Sequence, residues 1–224
     1  VEVNKDGRIQ PAQFILCKTA ITAESKRYDM ENDYKSYTHH LKGFSQLVKE
    51  DLETYQGEWT ACGFKALLVY RFGNMLSRMP LTIPRKMVFK FYEVMYRWIR
   101  NHYGIDVIYR ATLGRRVHLL HQHGIHIHAF AIIGDDCVIR QNVTIGAESH
   151  TYQEKAPRLG CRVEVGAGSV IAGEITIGDD VVIGPNTVVM QNVKANSIAF
   201  GNPVRILPRK KSELQNSESQ KIAS

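Results

Sequence analysis

The most constraining feature of this 224-residue sequence is a six-residue repeat that runs through its second half. From Ile133 the units IGDDCV, IRQNVT and IGAESH follow one another, and from Leu159 the units LGCRVE, VGAGSV, IAGEIT, IGDDVV, IGPNTV and VMQNVK continue the pattern. In most units the first residue is aliphatic, the second is often Gly, and the fifth is small or β-branched. An amphipathic helix would repeat at 3.6 residues, and the two-residue alternation of an ordinary strand does not explain the recurring Gly.

Units this short cannot each bury a core, so neighbouring turns must stack on one another. The repeat therefore predicts a parallel β-helix solenoid, against the alternative of an unrelated β-sandwich with coincidental spacing. Earlier units begin at Val107, Leu113, Leu119 and Ile125, after which the phase is expected to slip by two residues. The long step from Ile145 to Leu159 predicts a loop near 148–158, and loops that interrupt a regular scaffold often carry sites.

The residues before Gly104 follow a helical period instead. Apolar residues recur at three- and four-residue steps in three runs, which begin at Phe44, Phe64 and Arg85. The two prolines of MPLTIP end the second run, and Gly104 closes the third. The predicted organisation is, in chain order, an extension without assigned structure at 1–42, a helical domain at 43–104, the β-helix at 105–208 and a polar tail at 209–224.

Charge and composition narrow the choice of partners. The formal net charge of +7 favours an anionic partner, which leaves nucleic acid, a membrane surface and a phosphorylated cofactor open. No nucleic-acid recognition motif accompanies the charge, so we expect no nucleic acid partner. No apolar run is long enough for a spanning helix and the first residues are polar, which favours the cytoplasm. The cysteines are scattered without a CxxC pair and are expected to be reduced thiols: Cys17, Cys62, Cys137 and Cys161.

Five segments together carry a family resemblance: FKALLVYRFGNML, GIDVIYRATLGRRVHLLHQHG, GDDCVIRQNVTIGA, VGAGSVIAG and GNPVRILP. In this order they resemble the hexapeptide-repeat acyltransferases, and within them the serine acetyltransferase-like branch that includes the O-acetyltransferases of polysaccharide biosynthesis. The resemblance covers about residues 61–208. It implies a left-handed β-helix assembled as a trimer or a dimer of trimers, with acetyl-CoA as acyl donor in the groove between neighbouring solenoids.

The resemblance also implies a catalytic pair. The serine acetyltransferases carry an Asp in a DIHP stretch and, fifteen positions later, a His in a DHATG stretch. Here Asp106 in IDVIY is followed fifteen positions later by His121 in LLHQHG. The implied general base is His121, with Asp106 as the acid that supports its imidazole. An imidazole suits this role because it titrates near neutrality, and direct transfer is expected because no cysteine stands where an acyl carrier would be needed.

Two departures from the serine enzymes bear on the acceptor. Leu120 stands where they carry an acid, and Ala156 stands where they carry a His that helps to hold serine. The lost polar contacts favour a neutral hydroxyl, such as that of a sugar or glycan precursor. Serine O-acetylation for cysteine synthesis is the alternative within the same chemistry. A non-catalytic trimeric scaffold or ligand-binding protein is the alternative from another class.

The remaining candidate residues are assigned by resemblance and by residue type. The residues expected near acetyl-CoA are Gly146, Ala147, Ala167, Pro185, Arg205 and Lys210, although the basic residues at 210–211 also fit a solvated tail. Ser169 and Thr187 are expected to be structural. His123 and, from the loop, His150 are expected to line the acceptor site.

The basic and histidine-rich segments leave further interpretations open. The histidine cluster at 118–128 invites a metal hypothesis, but it does not match the three-histidine zinc pattern of the γ-class carbonic anhydrases, which are also hexapeptide-repeat proteins. No metal is therefore expected, and His126 and His128 are interpreted as satisfied or solvent-facing. The third helical run mixes Lys86, Lys90 and Arg97 with large apolar residues. This pattern fits a helix lying on an anionic membrane, or one packing on the solenoid or a second trimer.

Overall fold

The computed structural model describes residues 43–78, 83–148 and 155–209. The predicted extension at 1–42, the centre of the predicted loop and nearly all of the predicted tail lie outside these residues. The chain divides into two compact units, Val1–Gly43 and Phe44–Ser224, and the elements below belong to the second. It begins with the three predicted helices, which are α1 (Phe44–Thr54), α2 (Cys62–Arg78) and α3 (Ile83–Tyr103).

The strands that follow form three sheets, one for each side of the coil, as predicted for a parallel β-helix. The first sheet contains β1 (Ile105–Val107), β4 (Ile125–Ile127), β7 (Thr144–Gly146), β10 (Val170–Ala172) and β13 (Val188–Val189). The second contains β2 (Thr112–Leu113), β5 (Ile132–Ile133), β8 (Arg158–Leu159) and β11 (Thr176–Ile177). The third contains β3 (His118–Leu119), β6 (Val138–Ile139), β9 (Glu164–Val165), β12 (Val182–Ile183), β14 (Ser197–Phe200) and β15 (Arg205–Pro208).

The register of the first sheet measures the length of each turn. Asp106 pairs with His126, His126 with Thr144, Thr144 with Val170, and Val170 with Val188. These offsets are 20, 18, 26 and 18 residues, so a regular turn is three hexads. The offset of 26 contains eight extra residues, which confirms the predicted interruption after Ile145.

The two extra residues of the first turn lie one corner earlier than predicted. Val107 pairs with Ile127, so Ile127 rather than Ile125 takes the equivalent inward position. The extra residues therefore belong to the corner at 120–124, between β3 and β4. Three of the five residues of this corner have left-handed backbone torsions, with φ of 65° at His121, 74° at His123 and 73° at Gly124. These torsions accommodate the two extra residues in a widened corner, so that Ile127 still occupies the core position directly above Val107.

Close stacking of the coils explains the glycine at the second place of the repeat. A Cβ built on Gly134 would lie 2.5 Å from the carbonyl oxygen of Gly160 in the next coil. The aliphatic first residues fill the interior, where Ile133, Ile139 and Ile177 are buried. Ser169 and Thr187 are also buried, and the Ser169 hydroxyl donates to the carbonyl of Gly184 at 2.8 Å, so they have the structural roles expected of them.

The helices complete the exposed edge of the first coil. The Tyr55 hydroxyl donates to the carbonyl of Leu119 and accepts from its N–H, at 3.1 and 2.9 Å. The Tyr70 hydroxyl donates to the carbonyl of Ala111 and accepts from the N–H of Leu113, at 2.8 and 3.0 Å. Because a tyrosine hydroxyl both donates and accepts, it substitutes for the peptide group that a preceding coil would have supplied.

A buried ion pair fixes the helices to each other and to this edge. The Arg71 guanidinium lies 2.9 Å from the Asp51 carboxylate, and both side chains are almost fully buried. Arg71 also donates to the carbonyl of Leu113 at 3.0 Å and to that of Gly114 at 2.6 Å. The pair is thus solvated by backbone groups of the first coil, which is what a buried charge requires.

A reversed strand closes the opposite end of the solenoid. The closing GNPVRILP segment places β15 antiparallel to β14, which ends the parallel stack.

On α3 an apolar stripe faces outward, and we call it the α3 stripe: Met87, Phe91, Val94 and Trp98. Within the described ranges, no helix is both long and apolar enough to cross a membrane. The described cysteines, Cys62, Cys137 and Cys161, are free thiols.

Candidate active site

An acid and an imidazole meet on the outer face of the first sheet. Asp106 lies on β1 and His126 on β4, and the parallel register places them side by side. Their neighbours Ile105 and Val107 are buried, so the alternation of a strand turns the Asp106 side chain outward. Nδ1 of His126 lies 3.1 Å from Oδ2 of Asp106. Because an ionised carboxylate only accepts hydrogen bonds, this Nδ1 carries the proton.

A tyrosine from α3 holds the second oxygen of the same carboxylate. The Tyr96 hydroxyl donates to Oδ1 of Asp106. Burial, followed by this hydrogen bond, raises the pKa of Tyr96, so its hydroxyl stays protonated. Burial opposes ionisation of Asp106, but hydrogen bonds from His126 and Tyr96 lower its pKa below the ordinary value. The hydrogen bond to Asp106 in turn raises the pKa of His126, against a smaller opposing effect of burial.

His121, the predicted base, lies at the widened corner rather than on the carboxylate. In the described part of the chain, the hydrogen-bond partners of Asp106 are Tyr96 and His126, and the predicted Asp106–His121 contact is absent. The physical reason is the 20-residue offset of the first turn, which brings His126 beside Asp106. The side chain of His121 is exposed at the corner.

His123 lies at the same corner and joins it to the helices and to the next coil. Its N–H donates to the carbonyl of Tyr103 at the end of α3, at 2.7 Å. Its carbonyl accepts from the N–H of Asn142 at 3.0 Å, while its side chain is exposed.

The other two imidazoles of the cluster have no carboxylate partner among the described residues. The ring of His118 packs edge-on against Tyr55, with centroids 4.5 Å apart. Burial, and then the nearby charge of Arg140, lowers the pKa of His118. Nδ1 of His128 accepts from the N–H of Phe130 at 3.3 Å, and burial and then His126 lower its pKa. Within the described residues, no three His, Cys, Asp or Glu side chains are grouped as metal ligands.

The residues expected near acetyl-CoA fall at two corners on either side of the first sheet. Ala167 and Pro185 share the column of the widened corner, where the N–H of Asn186 donates to the carbonyl of Ala167 at 2.9 Å. Gly146 ends β7, and Ala147 begins the corner on the other side. The two pairs are therefore not contiguous within one protomer.

The other predicted contact residues are dispersed. Arg205 begins β15 at the end of the solenoid and is exposed. Lys210 and His150 lie outside the described residues. Leu120 is half-buried at the widened corner, and Ala156 is buried where the chain re-enters the solenoid before β8.

Comparison with known proteins identifies the family. Residues 156–191 match the family model described as bacterial transferase hexapeptide (six repeats). The chain is 33% identical over 147 residues to a serine acetyltransferase of Helicobacter pylori, which covers 66% of this chain and 82% of that protein. It is 34% identical over 149 residues to a serine acetyltransferase of Synechococcus elongatus, covering 66% of this chain and 57% of that protein. The chain belongs to the serine acetyltransferase-like family of hexapeptide-repeat transferases.

Solved structures of serine acetyltransferases share the fold of this family member. The Vibrio cholerae enzyme is 27% identical with a TM-score of 0.64, and the alignment covers 75% of this chain and 67% of that one. The soybean apoenzyme is 23% identical with a TM-score of 0.64, covering 77% and 72%. The Brucella abortus enzyme, solved in complex with coenzyme A, is 21% identical with a TM-score of 0.65, covering 79% and 72%. These likenesses support the left-handed β-helix expected from the resemblance, and acetyl-CoA is the acyl donor of the serine acetyltransferase-like family.

Sequence reasoning did not find the partners of Asp106, nor Gln141. His126 was interpreted as satisfied or solvent-facing, and it is both hydrogen-bonded and 50% exposed, but its partner Asp106 would have been identified only from the offset of 20. Tyr96 gave no signal, because its role depends on the rotation of α3 over β1. Oε1 of Gln141, at the column of the widened corner, is buried without a hydrogen-bond partner in the described part of the chain. A buried acceptor of this kind is where a ligand donor or an ordered water is expected.

Proposed function

We propose that this protein transfers an acetyl group from acetyl-CoA directly to a hydroxyl of a small acceptor. The observation that supports the proposal most is the serine acetyltransferase-like sequence, which matches the Helicobacter pylori enzyme over 82% of that protein's length. The outward-facing imidazole on a carboxylate supplies chemistry of the required kind, because a base must remove the hydroxyl proton as the oxygen attacks the thioester.

L-Serine is the first candidate acceptor, because the curated relatives are named serine acetyltransferases. A sugar or glycan-precursor hydroxyl is the second. Leu120 and Ala156 favour it, since both lie where the serine enzymes carry polar side chains that help to hold serine. A site that lacks those groups discriminates less strongly for an amino acid.

The proposed reaction needs no covalent intermediate. A histidine of the cluster takes the hydroxyl proton, and the resemblance assigns this role to His121 with Asp106 in support. The acceptor oxygen bonds to the acetyl carbonyl carbon, backbone N–H groups at a coil corner stabilise the oxyanion, and the carbon–sulfur bond breaks. The imidazolium then returns its proton to the thiolate of CoA.

The remaining contact residues complete the proposal. Acetyl-CoA is held at the coil corners by Gly146, Ala147, Ala167 and Pro185, and Arg205 and Lys210 are the proposed basic partners of its phosphates. At Gly146 a Cβ would meet only Cγ2 of Thr144, at 3.7 Å, so the backbone there is open to a close ligand. His123 and His150 are the proposed acceptor-binding residues.

Acceptor choice is tested by measuring CoA release with L-serine, a panel of sugars and a panel of nucleotide sugars. Saturable turnover with serine alone supports serine acetylation, and turnover with a sugar alone supports the second candidate. Acetyl-CoA binding measured by calorimetry without turnover on any acceptor would favour a non-catalytic scaffold. The proposal of acetyl transfer fails if the protein neither binds acetyl-CoA nor releases CoA.

The proposed assembly is a homotrimer, with the groove between protomers bringing the two separated corners together. The α3 stripe then supplies the contact between two trimers, because its four large apolar residues are each more than half exposed in one protomer. Trp98→Glu should halve the mass measured by sedimentation equilibrium. Unchanged mass would exclude this contact, and cosedimentation of wild type with anionic vesicles, lost in Trp98→Glu, would assign the stripe and its flanking lysines to a membrane instead.

A further inference from the structure

We infer that the acceptor of this protein carries an anionic group, and that Arg140 binds this group beside the hydroxyl that is acetylated. The inference rests on the proposed acetyl transfer and specifies the class of its acceptor. It follows from the side chains that successive coils stack in register at the widened corner. The roles that the resemblance assigns to His121 and Asp106 are unchanged.

Arg140 lies directly above Leu120 in the stack of coils. Leu119 pairs with Ile139, so the residue that follows each strand, Leu120 or Arg140, occupies the same place in its coil. The N–H of Leu120 donates to the carbonyl of Ile139 at 2.8 Å, which carries this register into the corner. Leu120 stands where the serine acetyltransferases carry an acid that helps to hold serine. The position that would attract an ammonium group is therefore apolar here, and its neighbour in the next coil is a cation.

Other arginines of the solenoid are neutralised by carboxylates of the same chain. Arg116 lies 2.6 Å from Asp136, and Arg162 lies 2.6 Å from Asp180, both at the corner between the second and third sheets. Among the described residues, the guanidinium of Arg140 makes neither an ion pair nor a hydrogen bond. The charge left without a partner is thus at the corner assigned to the chemistry.

The column of the widened corner contains no acid that would neutralise Arg140 from within the protomer. In four successive coils, none of the described residues of this column is Asp or Glu: 120–124, 140–142, 166–168 and 184–186. Glu164 on β9 is the nearest acid in register, and it forms no ion pair with Arg140 in the described part of the chain. The column is therefore suited to an anion and not to a cation.

Arg140 acts on the histidines of this corner. Burial lowers the pKa of His118, and the positive charges of Arg140 and His121 lower it further. Arg140 and His121 therefore lie within electrostatic reach of the same ring. An anionic group held by Arg140 lies close enough for a hydroxyl of the same small acceptor to meet His121.

The chemistry of the guanidinium defines the acceptor. Its parallel N–H donors match two oxygens of a carboxylate or a phosphate, and it stays charged at every pH at which the protein is folded. The expected acceptor is a hydroxyl compound with a carboxylate or phosphate and without an ammonium group, such as a uronic acid or a sugar phosphate. Arg140 binds the acceptor and takes no proton in the transfer.

The proposed trimer supplies the competing explanation. Because this corner lies in the groove between protomers, an acid of the neighbouring protomer is the alternative partner of Arg140. The two explanations differ in what Arg140→Gln changes. Loss of an acceptor contact raises the KM of anionic acceptors and leaves the trimer intact, whereas loss of an ion pair between protomers weakens the trimer.

Acceptors that share one sugar ring and differ in charge test the inference in the full-length protein. CoA release is measured with glucose, glucuronate, glucose 1-phosphate and glucosamine, with the galactose series in parallel and with L-serine. The highest kcat/KM should belong to an anionic sugar, and the lowest among the sugars to the amino sugar. Comparison of the uronate with the phosphate identifies which anion is bound.

Replacements of Arg140 link the preference to this side chain. Arg140→Gln should raise the KM of the anionic acceptor about 10- to 100-fold, with kcat and the KM for acetyl-CoA nearly unchanged. Arg140→Lys keeps the charge and should recover part of the loss. The matched control is Arg162→Gln, which removes an arginine from another corner and should change each KM by less than about twofold. Leu120→Asp should lower kcat/KM for the anionic acceptor and raise it for L-serine.

Equal KM values of wild type and Arg140→Gln for the anionic acceptor would overturn the inference, as would turnover confined to neutral sugars. Dissociation of the trimer in Arg140→Gln, measured by sedimentation equilibrium, would assign Arg140 to a contact between protomers instead. In each of these cases the proposed acetyl transfer stands. If no acceptor is acetylated, the proposed function fails, and calorimetry with glucuronate and glucose 1-phosphate decides the inference. Binding that is lost in Arg140→Gln supports it, and equal or absent binding contradicts it.

Discussion

The first coil and the later coils of the solenoid are built from the same repeat but stabilised in different ways. From His126 onward, each coil rests on one of its own kind, and in the first sheet the offset outside the loop is 18 residues. The first coil rests on three helices, its offset is 20 residues, and its edge is satisfied by tyrosine hydroxyls. Asp106, the imidazoles of the candidate site and Tyr96 lie at this irregular end. Regular repeats therefore provide the scaffold, and a departure from the repeat provides the candidate site.

The largest expected effect tests the junction between the helices and the first coil. Arg71→Met leaves the Asp51 carboxylate, which is 2% exposed, without its guanidinium partner. Removing one member of a buried pair costs about 3–5 kcal/mol, so the urea midpoint should fall sharply. A loss below about 1 kcal/mol would show that the helices contribute little to the stability of the first coil.

A glycine of the regular coils comes next. Gly134→Ala places a methyl group 2.5 Å from a backbone oxygen of the next coil, and such overpacking costs about 1–3 kcal/mol. Gly146→Ala is the matched control, because its methyl group meets only Thr144 at ordinary contact distance. Differential scanning calorimetry should therefore separate the two variants. Equal melting temperatures would mean that the coils can move apart, against the close stacking described above.

A smaller effect is expected from removing one of the two tyrosine hydroxyls that satisfy the edge of the first coil. Tyr70→Phe removes the acceptor of the buried Leu113 N–H and the donor to Ala111, which costs about 1–3 kcal/mol toward the lower end. Tyr109→Phe is the control, because its hydroxyl makes no hydrogen bond in the described residues. Hydrogen exchange at the Leu113 amide should increase in Tyr70→Phe alone. Continued protection of that amide would show that water replaces the hydroxyl without loss.

The smallest expected effect lies on the surface of the later coils. Arg162 pairs with Asp180 through two hydrogen bonds of 2.7 and 2.6 Å, but the Arg162 side chain is 48% exposed. Arg162→Gln should cost less than about 1 kcal/mol, and the difference from wild type should shrink as salt is added. A loss as large as that of Arg71→Met would remove the distinction between the two ends of the molecule.

Most of the fold could be predicted because the repeat and the helical periods are local signals. The glycine at the second place, the eight-residue interruption and the three helices all follow from spacing along the chain. The antiparallel β15 could not be predicted in the same way, because the hexad pattern gives the position of a strand but not its direction. Pairing of β15 with β14 depends on the turn between them.

The candidate site was harder to predict because it depends on the register between coils. If the two extra residues followed Ile125, an offset of 18 residues would place Gly124 beside Asp106. Because they lie at 120–124, the offset is 20 and His126 lies there instead. One corner therefore decides which imidazole meets the carboxylate. The contribution of Tyr96 depends on how α3 packs over β1, and no periodicity in the sequence reports that contact.

The tyrosine hydroxyls at the edge of the first coil also affect whether another copy of the chain can add strands to the solenoid. A stack of parallel coils has open peptide groups at both ends, and such edges can recruit further strands from another copy. Here Tyr55 and Tyr70 block one end, and the reversed strand β15 blocks the other. Head-to-tail association of solenoids into filaments is thereby disfavoured.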